Sequence, residues 1–284
     1  MFNETSLEEF KMKTKANLTD YQNITKQQQA TWSTGDFNEI ARQNVWMAEA
    51  LCQAADPRPG QRVLDVACGS GTAALVAARR YCRVAGIDYV PDLIERAQRR
   101  AAAAGREVDF RVADAQALPY PDASFDVVLS VYGVQFAPDQ EKAAGELLRV
   151  CRPGGTIALA GPIPEGWSGD FFAAHGRFAP PPPNVKPPLR WGTTEGLNEL
   201  LGDGVRTMES KKLPSLQYYL SLDHALDVFC SYFGPTMRAL RQLDAESRQQ
   251  FLAALEEVFK RYNRATDGTA VVENHYLQTI AVCA

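Results

Sequence analysis

Arg62-Val63-Leu64-Asp65-Val66-Ala67-Cys68-Gly69-Ser70-Gly71-Thr72 opens as a short aliphatic run and breaks into a glycine-rich turn. The run predicts a buried strand. Across Cys68-Gly69-Ser70-Gly71 no large side chain keeps a ligand from the backbone, and positive φ costs little. Residues 72–80 predict a helix, alanine-rich and closed by Arg79 and Arg80 near its C-terminal dipole. Strand, glycine turn and helix together aim the N–H groups of a helix start at a ligand. The turn alone does not choose that ligand, because Gly69-Ser70-Gly71-Thr72-Ala73-Ala74 also fits the G-x-G-x-x-G/A pattern of a dinucleotide site.

Asp65 narrows the choice. It ends the strand just ahead of the glycines, where a carboxylate repels a pyrophosphate and attracts a cation. S-adenosylmethionine carries a sulfonium and an ammonium and no phosphate. Residues 63–71 resemble the first motif of class I S-adenosylmethionine-dependent methyltransferases, in which the acid and glycines border the methionine part of the cofactor. The resemblance places Asp65, Ala67, Gly69 and Gly71 at the cofactor. Ala67 departs from the family, which often has glycine at that position.

Two further strands are read the same way. Cys82-Arg83-Val84-Ala85-Gly86-Ile87-Asp88 ends in an acid about 20 residues beyond Asp65, the spacing of a carboxylate that takes the ribose hydroxyls. Pro91 opens a helix that Gly105 stops. Residues 108–114 predict a third strand, ending in Asp114. The loop 115–122 resembles the family's adenine-binding loop, which implies that Asp114 accepts from the exocyclic amine and the Ala115 N–H donates to a ring nitrogen. Residues 124–130 are the fourth strand, in the family's F-D-x-V form. Tyr89 and Ser130 are counted with the cofactor site. Acids at three successive strand ends line one crevice at the carboxyl edge of a parallel sheet.

Residues 131–139 correspond to the family's loop beneath the sulfonium. Cys151-Arg152-Pro153-Gly154-Gly155 resembles its turn before strand five, expected over residues 156–160. Residues 162–192 are rich in proline and aromatics and follow strand five on the cofactor edge. They read as a rigid cover forming the acceptor pocket or, alternatively, as a surface loop or homodimer contact. A Thr-initiated helix over 193–201, strand six over 213–220, helices over 223–232 and 244–262, and a last strand over 269–282 complete the chain. Phe229, Tyr232 and Phe233 have core spacing.

Upstream, the polar residues 1–30 read as one or two helices or a frayed stretch, and 38–54 as a helix. Trp32, next to Gly35, either folds over the cofactor or anchors the N-terminal helix to the sheet. The chain is similar to the ubiquinone/menaquinone-biosynthesis-type (UbiE-like) small-molecule methyltransferases. The fold this implies is α/β and Rossmann-like: a seven-stranded, mostly parallel sheet of order 3-2-1-4-5-7-6. Strand seven is antiparallel, with helices on both faces and a helical and loop lid. Residues 1–54 are expected to be an N-terminal helical cap and 55–284 the methyltransferase domain, with lid insertions at 162–192 and 221–264.

Composition agrees with a globular chain. Of 284 residues, 45% are apolar and 23% charged, and the net charge of −4 argues against broad nucleic-acid binding. Six scattered cysteines read as reduced thiols. No apolar run approaches membrane-span length, and residues 1–5 lack a signal-peptide core, so the expected location is cytoplasmic and N-x-[ST] matches at Asn3, Asn17 and Asn23 carry no weight.

The expected chemistry is in-line transfer of a methyl group to a small, aromatic or apolar acceptor, leaving S-adenosylhomocysteine. A base is needed only if the acceptor must lose a proton. His175, in the expected lid, is the leading candidate and Tyr132 the second for orienting the acceptor, whereas His224 and His275 read as structural. No carboxylate pair suggests a divalent metal. Two alternatives stand beside this reading, an NAD(P)-dependent oxidoreductase and a non-catalytic S-adenosylmethionine-binding protein.

Overall fold

A computed structural model describes residues 20–284. The matches at Asn3 and Asn17 and most of the polar N-terminal stretch lie outside the described residues. The described chain begins with helices α1 (Tyr21–Trp32), α2 (Phe37–Ala41) and α3 (Val45–Ala55), the first two capped by the Asp20 and Asp36 carboxylates. The single helix expected over 38–54 is interrupted by a 3-10 turn, Arg42–Asn44.

The alternating core then follows as β1 (Arg62–Val66), α4 (Thr72–Arg79), β2 (Arg83–Asp88), α5 (Pro91–Ala103), β3 (Val108–Val112) and β4 (Phe125–Val131). Beyond a 3-10 turn, Val134–Phe136, come α6 (Gln140–Val150), β5 (Cys151–Pro162), α7 (Gly166–Phe178), α8 (Thr194–Leu201) and β6 (Val205–Tyr219). The chain closes with α9 (Leu222–Tyr232), α10 (Gly234–Gln242), α11 (Ala245–Tyr262) and β7 (Ala270–Cys283). One seven-stranded sheet runs β3-β2-β1-β4-β5-β7-β6, with only β7 antiparallel to its neighbours, as the family resemblance implies.

β1 explains why this sheet is central. Val63 and Leu64 point to opposite faces and both are fully buried. Val63 packs with α3 and α4 through Met47, Leu51, Ala74 and Ala77, while Leu64 and Val66 pack with Ile87, Leu147 and Ile157 on the other side. Burial on both faces is what a near-continuous aliphatic strand of a parallel sheet requires.

A third cluster joins Trp167 and Phe171 of α7 to Phe229, Phe251 and Phe259. Each buried phenylalanine contributes about 1.5–3 kcal/mol. The stretch 162–192, expected as a rigid cover, holds the helix α7, whose Trp167 and Phe171 lie in this core, while Trp191 packs in the cluster with Leu64 and Leu159. Phe229 and Phe233 belong to that core, whereas Tyr232 is 37% exposed. α10 falls between the two helices expected over 223–232 and 244–262, and Pro235 stands at its start, where its missing N–H costs nothing. β6 begins at Val205 rather than 213. Its first half is an edge strand carrying Arg206, Glu209, Lys211 and Lys212, and that polarity hides the strand signal.

The N-terminal helices lie across the carboxyl edge of the sheet and are pinned there. Gln116 Nε2 donates to Thr25 Oγ1 at 3.0 Å, Gln29 donates to the Tyr89 carbonyl, and Arg96 pairs with Asp36 at 2.7 Å. On the far side Arg238 donates to Thr31 Oγ1 at 2.8 Å. The Gly35 and Gly234 backbones touch their neighbours so closely that a Cβ on either would lie 2.2 Å from a carbonyl oxygen, of Tyr232 and Thr31 respectively.

Candidate active site

Three of the parallel strands, β1, β2 and β3, deliver an acid to the same edge. Asp65 is 1% exposed, and its Oδ2 accepts from the Ala74 N–H at 2.8 Å in the first turn of α4. Asp88, at the end of β2, accepts from Gly69 N on Oδ2 and from Val90 N on Oδ1, both at 2.9 Å. It therefore ties the glycine turn to the second strand. Asp114 Oδ1 accepts from Gln116 N at 2.9 Å, and both its oxygens lie 3.0 Å from Gln116 Nε2. Burial raises Asp65 to about 7 and Asp88 to about 6, against the backbone hydrogen bonds that favour their ionised forms. Two buried carboxylates held this high accommodate a cationic or hydroxyl-rich ligand better than an anion.

All three acids line one cavity. Its base comes from the turn, Ala67 to Ser70, and from Thr72 and Ala73 of α4. One end is formed by Tyr89, Leu93, Ala115 and Gln116, and a wall by the loop after β4, including Tyr132, Gly133 and Phe136. The roof is Trp32, Phe37, Ala41 and Asn44 of the N-terminal helices. Among the described residues, no lysine, arginine or histidine is in the lining. Trp32 does two things: it lines the cavity and also packs edge-on against Phe37 and Phe233, with ring centroids 5.3 and 5.4 Å away.

Backbone conformation shapes the cavity at two points. Ala67 has φ 54 and Tyr132 φ 49, both in the left-handed region. The conformation at Ala67 is one that glycine adopts freely, which accounts for the family's frequent glycine there. Between them Gly133 passes so near Ala67 that a Cβ would lie 2.5 Å from the Ala67 carbonyl oxygen.

Of the residues anticipated from sequence, Trp32, Asp65, Ala67, Gly69, Asp88, Tyr89, Asp114, Ala115 and Tyr132 come together around this cavity. Gly71, Ser130 and His175 do not line it. Gly71 turns the chain at φ 80, and a Cβ there would lie 2.7 Å from the Phe110 ring. Ser130 donates to the Val66 carbonyl at 2.8 Å and accepts from Val134 N at 3.0 Å, fastening the loop after β4 to β1.

His175 is corrected most strongly. It lies inside the aromatic core, with Nδ1 2.9 Å from the Phe171 carbonyl oxygen and Nε2 2.8 Å from Thr236 Oγ1. Burial lowers it to about 4, so it is a neutral, fully partnered imidazole. Its substitution by leucine is expected to cost about 1–3 kcal/mol through the partners left unpaired. A thermal melt would register that loss while affinity for S-adenosylhomocysteine stays at the parental value; a loss of affinity without loss of stability would refute this placement.

The Tyr132 hydroxyl is also turned to structure. Asn274 Nδ2 donates to it at 3.4 Å, and Asn274 Oδ1 accepts from Ser168 Oγ at 3.0 Å and His275 N at 2.8 Å. Burial raises the phenol well above its ordinary range. Tyr132 is thus a cavity wall tethered by its hydroxyl and is poorly suited to take a proton. The stretch 162–192 contributes nothing to the lining; the aromatic cover comes from Trp32 and Phe37 instead. Phe37, Asn44, Thr72, Gln116 and Phe136 are lining residues that sequence reasoning did not single out. For Phe37 and Asn44 the available signal was position alone, in the segment just ahead of β1.

Comparison with known proteins agrees with this geometry. Residues 64–159 match the model of a methyltransferase domain family. The chain is 38% identical to an uncharacterized protein of Mycobacterium tuberculosis, over 77% of this chain and 81% of that one. It is 41% identical to the demethylmenaquinone methyltransferase of Thermus thermophilus, over 46% of this chain and 60% of that enzyme. Among solved structures, the YcgJ protein of Bacillus subtilis superposes with a TM-score of 0.57 at 21% identity, covering 84% of this chain and 98% of that one. At that identity the last match speaks for the fold. No helix among the described residues is long and apolar enough to cross a membrane.

Proposed function

Because the chain belongs to the class I S-adenosylmethionine-dependent methyltransferases, we propose that it methylates a small, neutral, aromatic or apolar acceptor by in-line displacement, in the cavity beneath the N-terminal helices. The observation that carries this reading is a lining with three carboxylates at strand ends and, among the described residues, no cationic side chain. S-adenosylmethionine fits that lining: it brings positive charge to Asp65, ribose hydroxyls to Asp88 and an adenine to Asp114 and Ala115. When bound, it supplies an electrophilic methyl group on a sulfonium.

The chain's own part is to bind, orient and exclude water. Trp32, Phe37 and Phe136 offer apolar, aromatic faces that suit an uncharged acceptor, and the carboxylates repel an anionic one. Among the described residues no imidazole or amine lines the cavity to take a proton, and the Tyr132 phenol is tethered and raised. The acceptor this favours has a nucleophilic atom that needs little help to shed a proton, or has none to shed.

Calorimetric titration with S-adenosylmethionine, S-adenosylhomocysteine and NADH, from about pH 5 to about pH 8, tests the cofactor reading. Asp65 and Asp88 have folded pKa values above the ordinary 3.8. Their raised values favour the folded protein with both carboxyls neutral, an advantage fully present below about pH 4 and lost as pH rises through 6 to 7. Ligands that need the ionised carboxylates follow the opposite course. Affinity for S-adenosylmethionine is expected to rise across that window, by about tenfold per unit below the pKa for each proton displaced. Binding of NADH alone, or affinity that falls with pH, would overturn the reading. With the cofactor bound, methyl transfer to neutral phenols or quinols, and not to their carboxylated analogues, is the corresponding outcome for the acceptor.

A further inference from the structure

We propose that Asn44 holds the amino-acid arm of the cofactor, its Nδ2 donating to the arm's carboxylate; the inference rests on the cofactor reading above. Asn44 immediately precedes α3, where an asparagine ordinarily caps the helix. Its side chain makes no capping bond, and among the described residues it has no hydrogen-bond partner. Yet it is 9% exposed and lines the cavity. Its side-chain atoms are not sealed from solvent but open to the cavity, where water or a ligand supplies the partner.

Position says which part of the ligand that is. Tyr89, Asp114, Ala115 and Gln116 mark the nucleoside end. α3 instead packs against α4, which begins at the glycine turn and supplies Thr72 and Ala73 to the base of the cavity. The arm that lies beside the turn carries a carboxylate, and among the described residues no cation lines the cavity to meet it. Several donors of the turn are already committed. Gly69 N serves Asp88, Gly71 N the Cys68 carbonyl, Ala74 N Asp65, and Ser70 Oγ Asn38. The Asn44 amide is a neutral donor still available, and a hydrogen bond to a charged oxygen is stronger than one between neutral groups.

The test compares two ligands that differ by the arm alone: S-adenosylhomocysteine and 5′-methylthioadenosine, which keeps the nucleoside and lacks the amino acid. In Asn44→Leu, titration calorimetry should show S-adenosylhomocysteine bound about tenfold to a hundredfold more weakly. Affinity for 5′-methylthioadenosine should stay within about twofold of the parent, which also certifies that the site is folded. Asn44→Ala, with no added bulk, should give the same split. Equal weakening of both ligands, or no weakening of either, overturns the proposal. Failure of the parent protein to bind either ligand would instead overturn the cofactor reading itself.

Discussion

Asp88→Ala is expected to abolish measurable binding of S-adenosylmethionine and S-adenosylhomocysteine at ligand concentrations that saturate the parent. Two losses combine. The first is the pair of hydrogen bonds that a carboxylate accepts from ribose hydroxyls, each contributing about 1.5–3 kcal/mol when the acceptor is charged. The second is local order, because the same carboxylate holds Gly69 N and Val90 N at 2.9 Å and so sets the shape of the glycine turn. Together they correspond to an affinity loss of at least about a hundredfold. Asp88→Asn should retain part of the binding, since its amide oxygen can still accept. The measurement is a calorimetric titration paired with a thermal melt. An alanine variant that binds within threefold of the parent would remove Asp88 from the cofactor site.

Gly133→Ala is the second large effect. A Cβ at this position would meet the Ala67 carbonyl oxygen at 2.5 Å, the Ala67 Cβ at 2.8 Å and Ser130 Oγ at 3.1 Å. Two of these atoms belong to the glycine turn and the third fastens the loop to β1, so neither segment can yield without distorting the cavity. One methyl group should therefore separate the loop after β4 from the turn. The expected cost is about 1–3 kcal/mol of stability, typical of overpacking, with loss of methyl transfer far beyond what that destabilisation explains. Gly105→Ala is the control, because nothing lies within 4 Å of a Cβ there; its left-handed φ of +61 should still bring a mild stability cost. Full activity in Gly133→Ala would show that the contact between the two loops is dispensable.

The sheet was legible because its signals are local. β1, β2 and β4 are short aliphatic runs, and Asp65 and Asp88 are fixed by the ends of those runs. Strand order followed from the family resemblance rather than from any residue, since nothing in 14 residues of β7 states which neighbours they pair with. The cavity roof was legible only in part. Trp32 and Gly35 drew notice as residue types, but Phe37 and Asn44 reach the cavity through a break at Arg42–Asn44 that helical periodicity passes over. His175 misled for a physical reason. A histidine among aromatics and prolines looks the same in sequence whether the segment is a loop over a site or a helix buried against Thr236. Only packing separates the two, and packing is long-range.

The fastened N-terminal helices have a consequence for time as well as for affinity. Trp32, Phe37 and Asn44 close the cavity from above, and the Gln29, Thr25, Asp36 and Thr31 contacts hold them to parts of the molecule far apart in sequence. Release of a nucleoside-sized molecule past Trp32, Phe37 and Asn44 is eased when those contacts loosen, which ties the departure of spent cofactor to movement of the helices. Where that movement is slower than methyl transfer, turnover has a ceiling set by a mechanical event remote from the transferred methyl group. That ceiling should respond to salt through the partly exposed Asp36–Arg96 pair, whatever the acceptor's own reactivity.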